Sequence, residues 1–229
     1  MLGSLDRVGL ETTDLATTRR FYEETLDLDV TDSGPTHVAY AAGEQTLILR
    51  APAGVPRGGV HTHYAFSIPR GEYDDWWDRL SGDHDLEEAR FGDARSLYCV
   101  DPAGHCVELG QRDVPGPGID GIFEVVLEVR DLERARSLYA ALGFETVSEG
   151  AERPRVRMHG PVDLELWEPH LGIADAQGGL HVDLGFVDAD LPAVATVLEE
   201  RACELERTDG RLRAIDPDGH HLVVTGSDP

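Results

Sequence analysis

The chain has 229 residues, 41% of them hydrophobic, and its 44 acidic against 20 basic side chains give a formal net charge of −24. That length holds one large domain or two of about 110 residues, and no apolar run approaches the ~20 residues a bilayer span requires. Nucleic acid and membrane are therefore poor partners for this chain, because so acidic a surface repels phosphate. Every basic residue is Arg; Lys and Asn do not occur.

In chain order, LDRVGLETTDLATTRRFYEETLDL from Leu5 reads as an apolar strand and then a helix opened by Asp14, whose carboxylate suits the free N–H groups of a first turn. Short strands follow to about Ala51, and the same order recurs from about Val60 to Gln111. The second helix falls in GEYDDWWDRL, where Trp76 and Trp77 must point about 100° apart, so one faces the sheet. DVPGPGI, with Pro115, Gly116, Pro117 and Gly118, cannot continue a helix or a central strand and reads as a linker.

Beyond it the chain repeats itself. IFEVVLEVRDLERARSLYAALGF from Ile122 restates the opening, and in both copies a Tyr follows the helix-opening Asp by eight residues: Asp14 with Tyr22, Asp131 with Tyr139. GGVHTHYAF from Gly58 aligns with GGLHVDLGF from Gly178, and DPAGH from Asp101 with DPDGH from Asp216. The offsets of 117, 120 and 115 make the halves copies, so the sequence predicts four βαβββ modules in two domains, 1–113 and 119–229. Asp101–His105 suits a three-residue hairpin loop with Gly104 left-handed, which places Tyr98 opposite Glu108 on one face; the same count places Arg213 opposite Val223. His105, His220 and His221, in or beside these turns, are expected to be exposed.

Cys99, Cys106 and Cys203 are an odd set without zinc spacing, so they predict neither a disulfide framework nor a structural zinc site. The start has no charged and apolar leader pattern, and a cytoplasmic location is the expectation. The carboxylates punctuate every helix and turn rather than forming one tail. With Lys absent, the composition resembles that of proteins from the salt-rich cytoplasm of halophiles, where molar salt screens self-repulsion.

The openings LDRVGLETTDL and FEVVLEVRDL, the HYAFSI strand and, most specifically, SLYCVDPAGHCVEL together resemble the vicinal oxygen chelate superfamily, which includes glyoxalase I, extradiol ring-cleavage dioxygenases and the bleomycin and fosfomycin resistance proteins. The resemblance covers nearly the whole chain. It implies an α+β fold in which modules pair, each neighbouring two making a cupped mixed sheet whose concave face holds a divalent metal. Family ligands come from the first and last strands of each module. The matching positions are Arg7, Ile48, His63 and Glu108 in the first half and Glu124, Glu165, Asp183 and Val223 in the second.

In the extradiol pattern two His and one carboxylate hold Fe(II). His63 and Glu108 match two of these positions, and Arg7 stands in place of the first His, where a guanidinium has no lone pair to give. His61, two residues from His63, is the one substitute nitrogen, or else a structural residue. Tyr98 then corresponds to a proton donor or orienter, and Arg7 either holds a substrate oxyanion or replaces the metal's charge beside Glu108. In the second half, Glu124, Glu165 and Asp183 are expected to converge on one cup. They would either ligate Mn or Mg or be neutralised by Arg155, Arg157 or Arg213 in an ion network. The resemblance thus implies a metal-dependent, extradiol-dioxygenase-like enzyme acting on a small catechol-like substrate, as monomer or homodimer. The alternatives are a glyoxalase-type lyase or isomerase using the second cup, and a non-catalytic binder of small ligands with no metal.

Overall fold

Strand patterns interrupted by a helix recur four times in the computed structural model, which describes residues 2–52, 63–150, 153–168, 182–187 and 190–226. Module one comprises β1 (Leu5–Glu11), α1 (Leu15–Arg20, prolonged by a π-type turn to Thr25), β2 (Val30–Gly34), β3 (His37–Ala42) and β4 (Gln45–Arg50). Module two comprises β5 (His63–Pro69), α2 (Tyr73–Leu80), β6 (Glu87–Phe91), β7 (Ala94–Val100) and β8 (Cys106–Arg112). Module three comprises β9 (Gly121–Glu128), α3 (Leu132–Leu142), β10 (Glu145–Glu149), β11 (Arg155–His159) and β12 (Asp163–Trp167). Module four comprises β13 (Asp183–Val187), α4 (Leu191–Arg201), β14 (Glu204–Thr208), β15 (Arg211–Ile215) and β16 (His221–Thr225).

The helix starts follow from their caps. Asp14, Asp131 and Asp190 accept from the N–H groups of Thr17, Arg134 and Ala193, each such cap contributing about 1 kcal/mol. Gly143, at φ 109°, closes α3 in the left-handed region. In α2, Trp76 is the inward tryptophan, buried beneath the Arg79 guanidinium, whereas Trp77 stacks on the Tyr73 ring.

The strands form two eight-stranded mixed sheets, ordered β14-β15-β16-β13-β1-β4-β3-β2 and β10-β11-β12-β9-β5-β8-β7-β6. This is the expected α+β class, with one difference: modules one and two do not share a sheet, nor do modules three and four. Modules one and four supply the first sheet, and modules two and three the second. The linker shows why β9 comes to lie beside β5. Gly118 donates to the Glu72 carboxylate, Asp120 N–H donates to the Ser67 carbonyl, and Ser67 Oγ donates to the Gly121 carbonyl.

By compactness the chain divides otherwise, into one unit built on Leu10–Glu124 and another built on residues up to Gly9 with those from Val125 onward. In the first unit, Tyr22, Tyr40, Leu47, Tyr64, Phe66 and Leu97 are fully buried, with Tyr22 and Tyr40 stacked at 5.7 Å. Gly43, at φ 59°, fits there because a Cβ would stand 1.9 Å from the Asp120 carbonyl oxygen. In the second unit, Tyr139, Leu164, Leu166 and Leu184 are fully buried, and Phe144 meets Phe186 at 6.3 Å.

The repeated motifs meet inside each unit. Tyr22 donates to Asp101 Oδ2 at 2.9 Å, and Tyr139 donates to Asp216 Oδ2 at 3.0 Å. The other oxygen of each Asp closes its hairpin: Asp101 Oδ1 accepts from the Ala103 and His105 N–H groups, and Asp216 Oδ1 from those of Asp218 and His220. The module-one helix is thus tied to the module-two hairpin, and the module-three helix to the module-four hairpin. Tyr64 joins the first tie through a hydroxyl–hydroxyl hydrogen bond to Tyr22. His105 and His220 are buried, contrary to the exposure expected of turn residues. The His105 ring bonds Asp101 Oδ2, and His220 Nε2 bonds the Glu128 carbonyl.

Candidate metal centre

Three adjacent strands set the geometry. In the antiparallel pair β7–β8, Tyr98 lies opposite Glu108, as the hairpin count required, and in the parallel pair β5–β8, Ala65 lies opposite Glu108. His63, two residues before Ala65, therefore shares a sheet face with Glu108 along a diagonal. His63 Nε2 stands 3.1 Å from Glu108 Oε2, with both residues nearly removed from solvent at 5% and 3% exposure. The Tyr98 ring meets the imidazole edge-on, 5.6 Å between centroids.

Glu124 of β9 is buried as well, and its charge reaches Tyr98. Burial first, then the Glu108 and Glu124 charges and the hydrogen bond to Glu108, raise the Tyr98 hydroxyl far above the ordinary tyrosine range. Tyr98 therefore keeps its proton throughout the physiological range and acts as a hydrogen-bond donor. Two residues beyond Glu108, Gly110 leaves room for Phe123: a Cβ there would lie 2.8 Å from its ring. Arg112 covers the same ring at 3.6 Å, so an aromatic wall borders the polar cluster.

An imidazole nitrogen and carboxylate oxygens buried on one face are the donor types that divalent cations of borderline to hard character take. Among the described residues, no three His, Cys, Asp or Glu side chains already stand in a ligating arrangement. The donor atoms of His63 and Glu108 instead satisfy each other.

The remaining expected residues are placed as follows. His61 lies outside the described residues. Arg7 belongs to a different sheet from His63 and Glu108. It stands on β1, in the sheet of modules one and four, with Asp183 Oδ1 3.9 Å from its Nη2. Asp183 stands on β13, in the sheet of β1, whereas Glu124 and Glu165 stand on the neighbouring strands β9 and β12 of the other sheet. Glu165 is instead held by Arg155 at 2.5 Å, by Arg157 at 3.5 Å and by the Trp167 indole at 2.8 Å, the ion-network alternative. Ile48 and Val223 offer no donor, and Val223 lies opposite Arg213 as counted.

Glu124 was legible as a first-strand ligand position, but only the strand order assigns it to β5 and β8. The three cysteines are free, and burial raises the Cys99 and Cys106 thiols to about 12, which leaves them protonated and unreactive.

Residues 4–109 match the family described as Glyoxalase/Bleomycin resistance protein/Dioxygenase superfamily. Metallothiol transferase FosB of Staphylococcus saprophyticus is 28% identical over 116 residues, 48% of this chain and 77% of that protein. FosB of Staphylococcus epidermidis is 29% identical over 113 residues, 46% of this chain and 80% of that protein. Among solved structures, glyoxalase I of Zea mays superposes with a TM-score of 0.68 at 19% identity, covering 97% of this chain and 92% of that one. A Bacillus subtilis protein provisionally named a dioxygenase superposes with a TM-score of 0.74 at 14% identity, covering 100% and 86%. These likenesses to solved structures show the fold.

Proposed function

We propose, on the premise that residues 4–109 are a domain of the Glyoxalase/Bleomycin resistance protein/Dioxygenase superfamily, that the chain is a divalent-metal-dependent enzyme acting on a small, oxygen-bearing substrate. The observation that carries this reading is the buried His63–Glu108 pair on adjacent strands with Tyr98 across from it. His63 and Glu108 would hold the ion, with Glu124 as the third ligand. A bound divalent cation would polarise substrate oxygens and so acidify a neighbouring C–H or O–H.

The chain's own groups supply the rest. Tyr98, kept protonated, donates to a substrate oxygen and orients it. A carboxylate displaced from its present hydrogen bond accepts a proton. The Phe123 wall excludes water from one side. One imidazole with two carboxylates supports Lewis-acid chemistry of the glyoxalase and metallothiol-transferase kind better than ring cleavage, whose pattern takes two imidazoles for Fe(II). The FosB relatives point the same way.

Metal analysis of purified protein after loading with Mn, Zn, Ni or Fe(II) tests this. One ion per chain, lost in His63→Ala and in Glu124→Gln, supports the assignment. Iron-dependent cleavage of catechol would restore the dioxygenase reading, and absence of any bound metal would favour the non-catalytic binder.

A further inference from the structure

In the sheet of modules one and four, the face that carries Arg7 and Val223 has a different chemistry. Arg7, Gly185, Val223 and Arg213 form one cross-strand row, as Arg7 pairs with Gly185, Gly185 with Val223 and Val223 with Arg213. Side chains in such a row stand on one face. Arg211, two residues from Arg213 on β15, shares it. The ends of the row are roughly 14 Å apart at the backbone, three strand spacings, and what lies between is low: a glycine and a valine.

Arg7 reaches into that gap. A Cβ on Gly185 would stand 2.6 Å from Arg7 Cγ and 2.9 Å from Arg7 Cζ, so the arginine stem runs across the glycine. Asp183 lies on this face beside Arg7, and Glu206 lies opposite Arg213.

Within a chain whose carboxylates outnumber its arginines more than twofold, Arg211 and Arg213 have no hydrogen-bonded or ion-paired carboxylate among the described residues. The Arg211 Nε is buried without an acceptor. A guanidinium N–H withdrawn from water and left unmatched is costly, and stays so unless something supplies an oxygen. The local field agrees. Burial first, then the Arg213 and Arg7 charges, destabilise the charged form of Arg211, against the attraction of Asp183 and Glu206.

We propose that the Arg7–Arg211–Arg213 face, floored by Gly185 and Val223, is a binding site for a small oxyanion, the carboxylate or phosphate group of a metabolite. Arg7 lies over the floor from one end of the row while Arg211 and Arg213 stand on β15 at the other, near enough for their charges to be felt at Arg211, and planar guanidinium groups match two-oxygen anions. The rest of the surface repels anions, which confines binding to this spot.

Isothermal titration calorimetry of the full chain tests the site, with inorganic phosphate in one arm and malonate in the other, against a KCl background. One anion should bind per chain. Arg211→Gln and Arg213→Gln should each weaken it roughly tenfold or more, the loss of one hydrogen bond to a charged group. Arg130→Gln, removing an exposed arginine off this face, should leave it unchanged. Binding confined to phosphate or to malonate names the source of the anion and supports the site. No binding of either anion, or equal affinity in the wild type and both β15 variants, overturns it. Circular dichroism of each variant ensures that a lost signal is not lost fold.

Discussion

The Tyr–Asp ties make a prediction that compares the two halves of one chain. Tyr22 and Tyr139 are both completely buried, and each donates to the Asp of its DPxGH hairpin at 2.9 and 3.0 Å. Replacing Tyr139 with Phe removes one hydrogen bond to a charged acceptor, worth about 2 kcal/mol. Replacing Tyr22 removes the equivalent bond and the one to Tyr64, whose hydroxyl is then stranded in a fully buried position; a neutral bond adds about 1 kcal/mol, for a total near 3 kcal/mol. Tyr22→Phe should therefore be the more destabilising by about 1 kcal/mol, although the substitutions are chemically identical. Urea unfolding followed by tryptophan fluorescence is the assay, with the compact units read separately because a two-unit chain need not unfold in one step. Trp76 and Trp77 report on the Leu10–Glu124 unit and Trp167 on the other, so each variant is placed in a background that keeps only its own reporters. Costs below about 0.5 kcal/mol for both, the range of an inert surface change, or the reverse order would refute the view that these ties are supporting hydrogen bonds.

Asp101 is drawn up by its burial but is pulled below the ordinary Asp range overall by His105, by the hairpin N–H groups and by Tyr22. A depressed folded-state value means that its stabilisation is fully present above the unfolded value near ~4 and fades as pH falls through the folded value. The stability gap between wild type and Asp101→Asn, measured by urea midpoints, should thus shrink as pH falls below about 4; a gap that widens on acidification in that range contradicts this. The net charge of −24 predicts a higher melting temperature in molar KCl than in dilute buffer, since a Debye length of ~3 Å removes most self-repulsion, and equal melts in both would dismiss the halophilic reading of the composition. Gly43→Ala combines a left-handed backbone with a Cβ 1.9 Å from a backbone oxygen and should cost about 3 kcal/mol or more in a urea titration, whereas Gly92→Ala, left-handed in open space, should cost about 1 to 2.

What the sequence conveyed follows the range of each interaction. Local signals carried directly into structure: the Asp caps, the left-handed glycine of the DPAGH turn and the pairing of Tyr98 with Glu108 are all settled within a dozen residues. The internal repeat likewise carried the four modules. Sheet partnership is not local, because every first strand has a similar apolar pattern to offer. What decides between them is a handful of backbone and side-chain hydrogen bonds at the linker, from Gly118, Asp120 and Ser67, none of which has a sequence signature. That single choice explains the other departures. It separates Arg7 from His63, sends Asp183 to the sheet of β1, and sets Glu124 on the strand beside His63. The pairing of strands decides which of the first-strand and last-strand positions share a sheet.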